Sequence, residues 1–201
     1  LSYNIATGTL AAAGWTGPAT VANLIQGWNY KTRQYAIEKN TTIFWYGAVG
    51  ALTGAMTSFD LAQILKFSGN LLFGTSWSVN QGIASEEYTV IATTAGEILV
   101  YSGDWPAAAN WFLIARVRIP DIIGPKAFKS VGSELYIYTK RGVIPLSKII
   151  QSQTDNADYY SVSRKLGAMN DVNAAIPNSS IGFNRNLPFM YFIGQNNVTL
   201  Y

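Results

Sequence analysis

Few side chains in this sequence can do chemistry, and they are not arranged for it. The 201 residues contain no His and no Cys. That removes Ser-His-Asp triads, histidine bases and ligands, cysteine nucleophiles, thiolate metal sites and disulfides. Glu86 and Glu87 are adjacent carboxylates. On an extended strand such neighbours point to opposite faces and cannot flank one substrate. Asp155 and Asp158, beside Asn156, share residue types with a cation loop but lack its Gly and closing Glu. Gly124-Pro125-Lys126 lacks the spacing and the Lys-Ser/Thr ending of a phosphate loop. No catalytic, cofactor or metal site is expected, and the chain reads as a protein that is not an enzyme.

The basic residues do cluster. Arg116, Arg118, Lys126, Lys129, Lys140, Arg141 and Lys148 hold half of the 14 Lys and Arg, and between 116 and 148 only Asp121 and Glu134 oppose them. Arg116 and Arg118 alternate with apolar neighbours, so a strand turns both to one side. Two readings stay open: a solvated strand face, or a surface meeting phosphates or an acidic neighbouring subunit. The net charge of +3 is mild for a dedicated nucleic-acid binder. It suits weak, sequence-independent contact with passing DNA better than base recognition.

The elements that would position these residues are strands. Hydrophobic residues make up 49% of the chain and charged residues 12%, a balance that excludes disorder and suggests a surface partly covered by other subunits. Tyr88–Thr94 and Glu97–Tyr101 are β-rich runs around Ala95-Gly96, a hairpin signal. Glu134–Thr139 and Val143–Leu146 flank Lys140-Arg141-Gly142 in the same way, and the two hairpins superpose Ile91 on Ile137 and Gly96 on Gly142. Further hairpins are expected at Tyr3–Leu10 and at Pro188–Ile193 with Val198–Tyr201, turning at Gly194. Recurrence of antiparallel hairpins every 40 to 55 residues or so is a propeller-like spacing, because one small sheet cannot bury both faces alone. The fold class is therefore all-β, β-propeller-like across 1–201, with a β-sandwich as the alternative.

Within the first hairpin, alternation predicts that Val90, Ala92 and Thr94 differ in burial from Thr89, Ile91 and Thr93. A helix is expected over Ser58–Lys66, with apolar residues at 61, 64 and 65, and another turn over Leu146–Ile150. Gln151–Tyr160 reads as a loop. The apolar run Thr41–Met56 is too short and too rich in Gly to span a bilayer, and reads as a β-turn region. A first residue other than Met suggests an internal piece of a longer chain, whose remainder would complete a ring of blades.

The order of motifs over 67–150 resembles one family. Ser68-Gly-Asn-Leu-Leu-Phe73 leads into Gly74-Thr-Ser-Trp77, and the Glu97–Gly103 strand follows. Asp104-Trp-Pro-Ala-Ala-Ala-Asn-Trp111 then precedes Phe112–Pro120, Ile123-Gly-Pro125, Gly132–Thr139 and Arg141–Ser147. This series is similar to the tail nozzle, or packaged-DNA stabilisation, proteins of podovirus-type bacteriophages. The resemblance implies a virion tail component made in the host bacterial cytoplasm, with copies of itself in a ring, a hexamer in that family. It also implies adaptor and tail-fibre neighbours, genome retention and DNA conduction. Arg116, Arg118, Lys126, Lys129, Lys140 and Arg141 would then face the lumen or a neighbouring subunit.

Trp77 and Trp111 are expected as packing anchors, and Gly96 and Gly142 as turn residues. The alternative function is a host-surface or glycan-binding propeller, which would present exposed aromatics in a concave pocket. The Ser-x-Asp-x-Gly-x-Thr-Trp repeat of sialidase-type propellers is missing.

Overall fold

The computed structural model describes residues 2–4, 9–11, 14–80, 85–152, 160–162, 180–183, 190–193 and 198–200. Strands β1 (Ser2–Asn4) and β2 (Thr9–Ala11) form an antiparallel pair, the expected first hairpin. Then come β3 (Trp15–Thr16), β4 (Leu24–Tyr30), β5 (Arg33–Glu38), β6 (Ile43–Tyr46), β7 (Gly54–Ala55) and β8 (Thr57–Asp60). They are followed by β9 (Leu71–Asn80), β10 (Ser85–Thr93), β11 (Glu97–Ser102) and β12 (Phe112–Arg118). Next are β13 (Phe128–Val131), β14 (Glu134–Thr139), β15 (Gly142–Pro145) and helix α1 (Leu146–Ser152). Last come β16 (Ser180–Phe183), β17 (Met190–Ile193) and β18 (Val198–Leu200).

Four antiparallel sheets use these strands: sheet I in the order β4-β5-β6-β8, sheet II in the order β12-β11-β10-β9, sheet III β13-β14-β15 and sheet IV β16-β17-β18. Sheets II, III and IV are meanders of sequential neighbours, while sheet I skips β7, which forms a short parallel pair with β3; the four sheets are antiparallel, so the all-β, antiparallel reading holds. The turn at 194–197, with Gly194, lies outside the described residues; of the loop expected over 151–160, residues 151 and 152 belong instead to α1 and 153–159 lie outside the described residues.

Sheet II carries a core on each face. From one face Phe73, Trp77, Val90, Ala92, Ile98 and Val100 pack against Leu135, Ile137 and Ile144 of sheet III and Leu146 and Ile149 of α1. From the other, Leu71, Ile91, Leu99 and Tyr101 meet Trp28, Tyr30, Tyr35, Ile37, Phe44 and Tyr46 of sheet I. The expected alternation in burial across 89–93 is thus corrected: Thr89, Val90, Ile91, Ala92 and Thr93 all have no exposure. A strand between two sheets has no solvent face, and each apolar side chain withdrawn from water there contributes roughly 1.5–3 kcal/mol. The far face of sheet III also buries a small cluster, Ala127, Tyr138 and Val143.

Sheets I and II interlock through backbone. A Cβ at Gly74 would lie 2.5 Å from the Trp28 indole, so only glycine lets that ring close on β9. Beside it the Gln26 side-chain amide both donates to Gly74 O and accepts from Gly74 N, each at 2.7 Å. The expected helix at 58–66 is replaced by β8 and a single turn. Leu65 N donates to Leu61 O at 2.9 Å, and Leu61, Ile64 and Leu65 all reach the sheet I–II core. The apolar spacing is real, but one turn after a strand is enough to satisfy it. α1 forms where a helical turn is expected and runs two residues further, its first turn held by Glu134, which accepts from Ser147 N at 3.1 Å and from the Ser147 hydroxyl.

Candidate functional site

The pairing of β11 with β12 sets Arg116 opposite Leu99 and Arg118 opposite Glu97. Both arginines therefore lie on the sheet I side of sheet II, as their alternation predicts. Their surroundings are internal. Arg116 Nη1 donates to Glu97 Oε1 at 2.9 Å, and Glu97 is fully buried. The same carboxylate accepts from Lys66 N at 3.1 Å and Phe67 N at 3.0 Å, fastening the β8–β9 connection onto sheet II. Arg118 lies over the Phe67 ring, 4.5 Å from its centroid. Buried charge is tolerated only when paired and fully hydrogen-bonded, and this carboxylate meets that condition.

The other sequence-selected cations go elsewhere. Lys129 stands opposite Tyr136, on the face of sheet III away from sheet II. Lys126, Lys140 and Arg141 are exposed in the turns at the lower end of sheet III, where Lys140 N donates to Asp121 O and Arg141 Nε sits 3.6 Å from Asp121 Oδ2. Lys148 is exposed on α1. The stretch from 116 to 148 is thus not one surface. The missed partner, Glu97, precedes it in sequence and is invisible to a count of nearby acids.

The anchors sit in the two cores. Trp77 is almost fully buried in the sheet II–III core, and its Nε1 donates to Ser133 O at 2.8 Å. Trp111 is half-buried and stacks on Tyr101, with centroids 4.9 Å apart and planes within 9°. It also meets Tyr30 edge-on at 6.1 Å. All six tryptophans are buried or half-buried. Gly96 has φ +80, and a Cβ there would lie 2.3 Å from Ile119 O. Gly142 has φ +128 and closes the β14–β15 turn, its carbonyl accepting from the Thr139 hydroxyl at 2.9 Å.

Two concave features stand out among the described residues. A groove of about 390 Å³ runs between β12 and α1, walled by Trp77, Val79, Tyr88, Ile114 and Ile150 with Glu134 on its rim. A smaller hollow of about 250 Å³ at the opposite end from Lys140 gathers Glu86, Glu87, Asp104 and Lys31. Glu86 accepts the hydroxyl of Tyr88, which lines the larger groove, and that hydrogen bond, then burial, pushes Tyr88 up to about 12. Tyr30 donates to Gly103 O at 2.5 Å and Glu87 O at 3.1 Å, and burial raises its phenol far above the ordinary range. Among the described residues no group of three or more His, Cys, Asp or Glu could hold a metal ion. No helix among them is long and apolar enough to cross a membrane.

No protein-family model matches the chain, and no curated protein matches it.

Proposed function

We propose that this chain is a structural module of a short-tailed phage virion, its sheets forming blades of a β-propeller-like arrangement. Copies in a ring, six by the family resemblance, would contribute to the tail tube beside adaptor and fibre proteins. That tube closes the head-to-tail channel, retains packaged DNA and conducts it on ejection. The module acts without catalysis.

One observation carries this reading: the inner strands of sheet II are buried on both faces between two other sheets that follow it and precede it in chain order. Successive four-stranded meanders stacked face to face are how propeller blades succeed one another. A two-layer sandwich buries one face of each sheet, which suits sheet II poorly. The covered tryptophans favour a structural role over sugar stacking. Light scattering on the size-fractionated protein, with negative-stain images of the same peak, tests the proposal. Ring-shaped particles of several chains support it. A single-chain particle that binds glycans would replace it with the surface-binding alternative.

A further inference from the structure

Hydrogen bonds among the connections fix which turns share one end of the stack. Leu71 N to Thr41 O, Leu61 N to Thr42 O, Ile119 N to Gly96 O and Lys140 N to Asp121 O bring together the connections at 39–42, 61–70, 94–97, 118–126 and 139–141. At this end stand Lys39, Lys66, Arg118, Lys126, Lys140 and Arg141, all exposed. Four carboxylates share the end, and each is engaged, Glu97 by Arg116 and the Lys66 and Phe67 amides. Glu38 accepts from Trp45 Nε1 at 2.8 Å, Asp60 from the Thr42 hydroxyl at 2.5 Å, and Asp121 faces Arg141. The opposite end carries Glu86, Glu87 and Asp104 against Lys31 and Arg33. The two ends therefore differ in sign, and the basic one draws cations from sheets I, II and III in turn.

We infer that this turn end binds the phosphate backbone of duplex nucleic acid, through Lys39, Lys66, Lys126 and Lys140, with Arg118 and Arg141 between them. Stacked sheets are about 10 Å apart, so cations spread over three of them form a row about 20 Å long. A duplex carries one negative charge per 1.7 Å or so of axis, and such a row meets several phosphates at once. Four lysines on flexible stems neutralise charge without the fixed fork that reads base edges, so the contact is independent of sequence. The inference rests on the conduit reading for the source of the phosphate polymer, and it moves the contact surface away from Arg116 and Lys129, which face elsewhere.

The test is anisotropy of a labelled DNA duplex titrated with the purified protein over a range of salt. The expected log–log salt slope is about −3.6, from four phosphates at about 0.9 each. The variant K39Q/K66Q/K126Q/K140Q should lose at least about tenfold in affinity at low salt and most of that slope. The control K31Q/K129Q/K148Q, which removes three charges against the variant's four, should keep most of both, and thermal melts of each confirm folding, since all seven lysines are at the surface or partly exposed. Equal loss in the control would show attraction to net charge alone and overturn the inference. So would sequence-dependent affinity, or binding confined to anionic phosphatidylserine vesicles with none to duplex. Particles that assemble into rings yet bind no duplex overturn this inference and leave the assembly proposal standing.

Discussion

Glu97 is the side chain on which most else depends. It is fully buried and receives Arg116, Lys66 N and Phe67 N, so it joins β11, β12 and the β8–β9 connection in one knot. Removing it leaves a guanidinium and two backbone donors without their acceptor. We expect Glu97→Ala to cost about 3–5 kcal/mol, as for other broken buried pairs. Arg118→Ala loses only a stacking contact with Phe67 and should cost under about 1 kcal/mol. Urea melts of the two variants check the contrast, and equal losses would contradict it. The sequence displayed both arginines as an alternating pair. The partner of Arg116 stands 19 residues earlier, and only the β11–β12 register brings it into contact.

The phenols set a second expectation. Burial pushes Tyr101 up to about 12 and carries Tyr30 and Tyr35 higher still, from an ordinary value of 10.0. A folded-state pKa above the unfolded one contributes stability that is whole below the unfolded value and is lost as pH rises through the folded one. Stability should therefore be insensitive to these groups up to about pH 9 and fall steeply above about pH 10. Denaturant midpoints across that range, with phenolate absorbance near 295 nm or so followed in parallel, test the sign. Tyrosines that ionise at their ordinary pH without loss of fold would contradict the aromatic core between sheets I and II.

At the scale of elements, hairpins with glycine turns were the legible ones. β10–β11 and β14–β15 carry Gly96 and Gly142 between β-rich runs, and both pair as expected. Sheet I went unread, although Trp28, Tyr30, Tyr35 and Ile37 alternate as a buried face should. Its turn is the reason: Lys31 (φ +45) and Thr32 (φ +58) are both left-handed without being Gly or Asn, so the usual hairpin signature is missing. A β-branched residue at positive φ is strained. Replacing the pair by Asn-Gly should stabilise the protein by about 1 kcal/mol, read as a raised melting temperature. No change, or a loss, would show that the Lys31 or Thr32 side chain does more than turn the chain. The apolar spacing at 58–66 misled for a different reason. Three apolar positions at helical intervals fit one turn as well as a helix, and periodicity cannot separate the two over so short a run.

For the whole molecule, the recurring hairpins pointed to an all-β fold of antiparallel sheets, and the described residues form such sheets without a closed propeller among them. What periodicity could not convey is that the inner strands β10 and β11 of the middle sheet have almost no solvent face, because alternation is lost where both sides are apolar. The same burial explains why Val90, Ile91, Ala92, Ile98, Leu99 and Val100 form nearly unbroken apolar runs across one hairpin. The most direct measurement is a cryo-EM density map of the assembled protein, detailed enough to trace strands. The account predicts sheets I, II and III fanning around a common axis, with the far faces of the outer sheets covered by further β-structure in a closed symmetric ring. A monomer whose sheets close into a single two-layer sandwich, with no axis and no neighbouring copies, would contradict it.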